Sequence, residues 1–316
     1  MDSPSAFHSP QGVPLLGHLP AFGRDPLGFL TTSVQQYGEV IRLHLEKERE
    51  TYVVNRPDLI DAVLVQTNRT FAKGYAKDPI MHRVLGNGLV TSEGTFWLRQ
   101  RRLAQPAFHR QHLMSYATIM GSYTKRLLTR WHAEGEEVVI DLHEAMMQLT
   151  MEIVARALFD IDLQDSAPEV SHALGLVLKA YTTQMTSAFR HLLARLPLSL
   201  VPAVSPRLET AVQQLDGLIY RFIEEHRSAQ HERDDLLSTL MAAQGEDGSQ
   251  MTDQQVRDEV MTLFLAGHET TANLLSWLWY LLSLFPEQED LLRQEACQVL
   301  GGRTPTMADL SSLPYT

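Results

Sequence analysis

A mainly α-helical fold with one small β-hairpin near its start is the class this sequence predicts, and three observations predict it. Apolar residues recur at helical spacing through most of residues 57–316. Strict alternation is confined to two short runs before residue 56, and breaks fall at Gly135, Asp160 to Pro168 and Pro197 to Pro206. The organisation expected is a single domain over 1–316, with 1–56 a Pro-rich lead and hairpin and 57–316 helical.

Met1 to Pro20 holds Pro4, Pro10, Pro14 and Pro20, and Asp25 to Tyr37 reads as a short helix ended by Gly38. Val40 to Leu45 and Thr51 to Asn55 alternate apolar and polar residues on either side of the charged stretch Glu46 to Glu50, a hairpin signal. Pro57 suits a first helical position, where the missing N–H would have no partner anyway. Asn68 to Gly94 carries Gly74, Gly86, Gly88, Gly94 and Pro79, so it predicts loops with at most a short helix. Helical patterns follow over Thr95 to Arg102, Arg110 to Ala133, Leu142 to Leu158, Glu169 to Leu196, Pro206 to Arg233 and Asp234 to Ala243. The next helix has clear ends: Thr252 and Gln255 form a capping box, Asp253 sits in the first turn, and Phe285-Pro286 stops it. It covers about 33 residues, roughly 50 Å of rise. Pro286 starts another helix through Leu300, closed by Gly301-Gly302, and Leu310 to Thr316 reads as a loop.

Composition narrows the function classes. Of 316 residues, 44% are hydrophobic and 21% charged, which fits a soluble globular chain with a real core. The net charge of −11 argues against broad nucleic-acid binding and against docking on anionic lipid, since both use clustered Lys and Arg. The one cysteine, Cys297, can make neither an internal disulfide nor a multi-cysteine metal site, so a reducing, cytoplasmic setting is expected. The start lacks a positively charged segment followed by an apolar one, so neither a signal peptide nor an N-terminal membrane anchor is expected. Leu274 to Phe285, the longest apolar stretch, is broken by Ser276 and Ser283 and falls short of the about 20 residues that span a bilayer. It reads as a buried core helix.

Inside the long helix stands the run Ala266-Gly267-His268-Glu269-Thr270-Thr271. Glu is rarely buried without a partner, and Gly and Thr weaken a helix interior, so something must offset their cost. Ala266 and Gly267 would let a bulky flat group approach the backbone. Thr270 can return its hydroxyl to the Ala266 carbonyl, competing with the helix ladder and making a polar notch. Glu269 and Thr270 point about 100° apart, so they cooperate through a distortion or through water. The plainer reading puts His268 and Glu269 on a solvated stripe and makes Thr270 and Thr271 core threonines; the apolar flanks and the Ala-Gly pair favour a site. His268-Glu269 opens like the zinc-protease signature, but Ala272 stands at the second His. Gly86-x-Gly88 lacks the third glycine of a dinucleotide fingerprint.

The run resembles the oxygen-activating helix of the cytochrome P450 family, Ala/Gly-Gly-x-Asp/Glu-Thr-Thr/Ser, at every specified position. The resemblance implies the P450 fold and a heme cofactor (iron protoporphyrin IX) crossed by this helix at Ala266 and Gly267. It makes Glu269 and Thr270 the acid and alcohol that deliver protons to iron-bound dioxygen. Trp97 and Arg101, one turn apart on one face, supply an indole N–H and a guanidinium that suit a carboxylate, although a Trp packed under an Arg stem is the commoner cause of this spacing. The family has this Trp-x-x-x-Arg after a glycine-rich loop, where it binds a heme propionate. Thr91 to Gly94, then Trp97 and Arg101, then Pro106-Ala107-Phe108-His109, is similar, so the resemblance covers essentially the whole chain.

The same resemblance implies O2 and a small hydrophobic substrate, contacted from Phe71 to Val90, from Ala180 to Val201 and from Phe264 to Ala266. It implies an electron-transfer partner, a ferredoxin or reductase, with Arg99 and Arg102 either its contacts or simply solvated charges. His109 and His112 have no third ligand beside them. Two family signatures do not follow the long helix: a Glu-x-x-Arg helix and a loop Phe-x-x-Gly-x-x-x-Cys-x-Gly whose thiolate binds iron. Glu46-Arg49 and Glu224-Arg227 have the bare spacing but precede it, and Cys297 has no glycine-rich loop around it. No metal ligand is assigned. The chain is expected to be the first two-thirds to three-quarters of a heme-dependent monooxygenase lacking its axial cysteine. The alternative is a non-catalytic helical protein that binds an apolar ligand or a partner without heme.

Overall fold

Helix starts fall where proline or a short polar side chain can serve them. The computed structural model describes residues 7–45, 50–66, 70–74, 78–135, 137–163, 166–186, 205–228, 235–243, 248 and 250–316. In chain order its elements are α1 (Leu19–Arg24), α2 (Pro26–Tyr37), β1 (Val40–Leu43), β2 (Thr51–Val54), α3 (Pro57–Asp61), α4 (Pro79–Leu85), α5 (Gly94–Ala104), α6 (Arg110–Glu134), α7 (Leu142–Phe159), α8 (Ala167–Thr186), α9 (Pro206–Ser228), α10 (Leu236–Ala242), α11 (Asp253–Leu284) and α12 (Pro286–Leu300). Pro26, Pro57 and Pro286 open their helices, and Asp25, Asp141, Asp235 and Thr252 accept a backbone N–H from the first turn of theirs. The helical assignments of the sequence are met wherever residues are described. The stretches 187–196 and 229–234 lie outside those residues.

The chain divides into two units, residues 1–81 with 176–209 and residues 82–175 with 210–316. In the first, β1 and β2 pair antiparallel from Val40 opposite Val54 to Leu43 opposite Thr51, and Ile41 and Leu43 face inward. Residues 46–49 of the expected connecting stretch lie outside the described residues. The Pro-rich lead holds a helix that its composition concealed: α1 tolerates Pro20 because it falls in the first turn. His18 then ties the lead to the hairpin, its Nδ1 accepting from the His44 amide at 2.8 Å and its Nε2 lying 2.8 Å from the Pro10 carbonyl.

In the second unit α7 lies antiparallel along α11. Phe159 meets Phe264, Val154 meets Gly267, Thr150 bonds the His268 carbonyl and His143 meets Ser276. Tyr123 and Leu127 of α6, Met146 and Leu149 of α7 and Ala272 of α11 form one buried cluster. α11 is 32 residues long and carries the expected capping box. Its second half corrects the sequence reading: Leu274 to Phe285 is not a buried core helix. Leu274 is 67% and Trp277 63% exposed, and Tyr280, Leu281, Leu284 and Phe285 are exposed as well. The reason is geometric, because α7 begins at Leu142 and its first turn reaches only Ser276. The tail is a second correction. Met307–Ser312 forms a 3-10 helix in which Thr306 and Asp309 cap each other, so Leu310 to Ser312 of the expected loop are helical, while Leu313 to Thr316 are irregular as expected.

Candidate functional site

α11 turns its residues by about 100° each, so the run from Ala266 to Thr271 is distributed around the helix. Val260, Phe264 and His268 recur every four residues and face inward. His268 is 1% exposed; its ring stacks on Phe264 with centroids 5.8 Å apart, and its Nδ1 lies 3.2 Å from the Phe264 carbonyl. Its Nε2 is buried with no hydrogen-bond partner among the described residues. Burial holds the imidazole below its ordinary pKa, outweighing the backbone bonds that favour protonation. The position a Cβ would occupy at Gly267 faces α7, 3.0 Å from Val154 Cγ2.

Ala266, Thr270 and Thr271 lie on the open side of α11. Thr270 Oγ1 donates to the Ala266 carbonyl at 2.8 Å, and Thr271 Oγ1 to the Gly267 carbonyl at 3.0 Å. The back-bonding expected of Thr270 is present, and the helix stays continuous through it. Glu269 is half-buried beside α7. Burial pushes its carboxyl above the ordinary glutamate value, and the charge of His143 pulls it part of the way back. The solvated-stripe reading is thereby reversed: His268 is interior, and the two threonines are on the exposed side.

On α5 the Arg101 guanidinium lies over the Trp97 ring, 5.4 Å from its centroid. Among the described residues no carboxylate is bonded to Arg101. The glycine-rich loop before α5 is held by side chains that sequence reasoning missed. Asp258 Oδ2 accepts the Asn87 amide at 2.8 Å, and Glu259 Oε2 accepts the Leu89 amide at 3.0 Å. Thr91 Oγ1 closes the turn on the Gly86 carbonyl at 2.7 Å. A Cβ at Gly86, whose φ is +56°, would strike the Asp258 carboxyl, and one at Gly88 would strike Thr262 Oγ1. Arg257 pairs with Asp258 and with Asp216 of α9. The available signal was Arg257-Asp258-Glu259 between two valines, three charges in an apolar helix.

Of the proposed substrate-contacting stretches, Leu89, Val90 and Phe264 are described and at least partly buried, whereas residues 75–77 and 187–201 lie outside the described residues. Among the described residues no group of three His, Cys, Asp or Glu could hold a metal ion. A heme iron of the thiolate class needs an axial cysteine, and Cys297 is exposed in the last turn of α12. The residues of this chain therefore do not complete such a heme site. No helix among them is long and apolar enough to cross a membrane.

A long helix with an acid-alcohol pair, packed on α7 and preceded by a strapped loop and a Trp-Arg helix, defines a class, and comparison with known proteins states it. The Cytochrome P450 family model matches residues 7–316. The chain belongs to the cytochrome P450 family. It is 39% identical over 98% of its length to cyclooctatin synthase of Streptomyces melanosporofaciens and 35% identical over 98% to pentalenene oxygenase of Streptomyces avermitilis. It is 34% identical to cyclooctat-9-en-7-ol 5-monooxygenase of Streptomyces melanosporofaciens. The chain spans 65%, 66% and 65% of the lengths of these relatives.

Proposed function

We propose that these 316 residues by themselves form a non-catalytic helical member of the family that binds an apolar ligand or a partner without heme. The observation that carries this is the place of the sole thiol, Cys297, exposed on α12 rather than in a glycine-rich ligand loop. Titration of the purified chain with hemin, followed by a reduced carbon monoxide spectrum, tests it. No stoichiometric uptake and no thiolate-type band are expected; stoichiometric uptake with that band would overturn the proposal.

A second reading concerns the whole protein, and the acid-alcohol pair on α11 favours it. There the protein is a heme-dependent monooxygenase that places one oxygen atom of O2 into a small hydrophobic substrate, with electrons from a ferredoxin or reductase, in the cytoplasm. Thr270 and Glu269 would hold and pass protons, Ala266 and Gly267 would lie against the cofactor, and Trp97 and Arg101 would hold a propionate. The names pentalenene oxygenase and cyclooctat-9-en-7-ol 5-monooxygenase denote an alkene and an unsaturated alcohol, which supports an apolar unsaturated substrate. Translating the gene beyond codon 316 separates the readings. A Glu-x-x-Arg helix and a cysteine loop there support the second, and their absence leaves the first.

A further inference from the structure

Away from the acid-alcohol run, the start of α8 and the middle of α9 enclose a half-open cleft of about 390 Å³, and every described residue that lines it belongs to the second unit. Small-molecule sites begin at about 300 Å³, so the guest is a small one. The floor is apolar: Val170 of α8 and Leu215 and Leu218 of α9 line the cleft and are buried. Gly217 lines it in mid-helix, where a Cβ would meet no heavy atom within 4 Å. Glycine weakens a helix interior, and no described neighbour requires it at this position, so what its missing side chain leaves is room on the cleft side of α9. Two opposite charges line the same cleft from different helices, Glu169 of α8 and Arg221 of α9, the latter one turn beyond Gly217. Both are exposed, and among the described residues neither side chain makes an ion pair or hydrogen bond with the other or with a third group.

We propose that this cleft is a binding site for a zwitterion with an apolar body, a free α-amino acid of the phenylalanine or leucine kind. The Arg221 guanidinium takes the ligand carboxylate, for which its planar fork of donors is shaped, and the Glu169 carboxylate takes the ammonium. The ligand side chain lies over Val170, Leu215 and Leu218, in the room that Gly217 leaves. Opposite charges held on separate helices also select against simpler ligands. A plain carboxylate meets a like charge at Glu169, a plain amine meets one at Arg221, and a hydrocarbon uses neither. The plainer account makes both groups solvated helix charges, with Glu169 favoured by the N-terminal dipole of α8. The lining includes no residue of α5 or α11, so the inference goes beyond both readings of the acid-alcohol run and does not rest on them.

Ligand-observed NMR titration of the 316-residue chain with L-phenylalanine tests the proposal against three probes that each lack one feature. N-acetyl-L-phenylalanine has no ammonium, L-phenylalaninamide no carboxylate and glycine no apolar body. L-Phenylalanine is expected to bind about fivefold more tightly than either charge-deleted probe, the upper end for an exposed ion pair, and more tightly again than glycine. In Arg221→Gln the preference over the amide should vanish while the preference over the N-acetyl probe remains, and in Glu169→Gln the reverse. Loss of fold would instead weaken every probe together. Gly217→Leu should fill the cleft and abolish binding with helix content kept by circular dichroism, since leucine is the better helix former. No binding of L-phenylalanine to the folded chain at millimolar concentration, or binding no tighter than that of the two charge-deleted probes, overturns the proposal. So does an unchanged preference in folded Arg221→Gln, or binding retained in folded Gly217→Leu.

Discussion

At Gly267 two effects of opposite sign meet. Alanine is better than glycine in a helix interior by about 1 kcal/mol, but a Cβ here would stand 3.0 Å from Val154 Cγ2. Val154 is buried and β-branched, so its rotamer yields little, and overpacking of about 1–3 kcal/mol prevails. Gly267→Ala is expected to lower unfolding free energy by about 1 kcal/mol, and to do so no longer once Val154→Ala is present; urea titration of the four chains checks this. At Glu269 the folded-state pKa is raised, mainly by burial, so the folded chain keeps a proton that the unfolded chain gives up near 4.5. The stability tied to that proton is present below 4.5 and is lost as pH rises through the folded value. Glu269→Gln should therefore raise the thermal midpoint at pH 8 and leave it nearly unchanged at pH 4. A variant less stable than the parent at pH 8 would contradict this.

The ends of α11 were legible because a capping box is local chemistry. Thr252 Oγ1 accepts the Gln255 amide at 3.2 Å and Gln255 Oε1 accepts the Thr252 amide at 2.8 Å. Thr252→Ala is expected to cost about 1 kcal/mol, with Thr252→Ser close to neutral, by urea midpoints. The strap between α11 and the loop was not legible, since Asn87 and Asp258 are 171 residues apart. Asp258→Ala strands the Asn87 amide and leaves the buried Arg257 with fewer acceptors, so a loss of about 2–4 kcal/mol is expected. Faster hydrogen exchange at the Asn87 amide, with protection at Thr252 retained, would locate the damage in the loop.

At the scale of the whole molecule the second half of α11 matters most. Leu274, Trp277, Leu278, Leu281 and Phe285 are exposed on a helical stripe, the kind of contiguous apolar surface that drives association. The purified chain is expected to associate at micromolar concentration, and the double variant Trp277→Ser, Leu281→Lys to remain monomeric with its unfolding midpoint almost unchanged. Light scattering over a concentration series checks this. Association that persists in the double variant would place the sticky surface elsewhere.

The sequence by itself determined what depends on neighbours along the chain. The helix ends set by proline, glycine and short polar caps, the two hairpin strands, and the acid-alcohol run that marks the family all have their causes within a few residues. Tertiary structure alone decided which side of α11 meets α7. It turned His268 inward, left Thr270 and Thr271 on the open side, brought His143 to Ser276 and left most of α11 beyond that point exposed. Helical periodicity assigns residues to faces, but only packing against another element decides which face is buried.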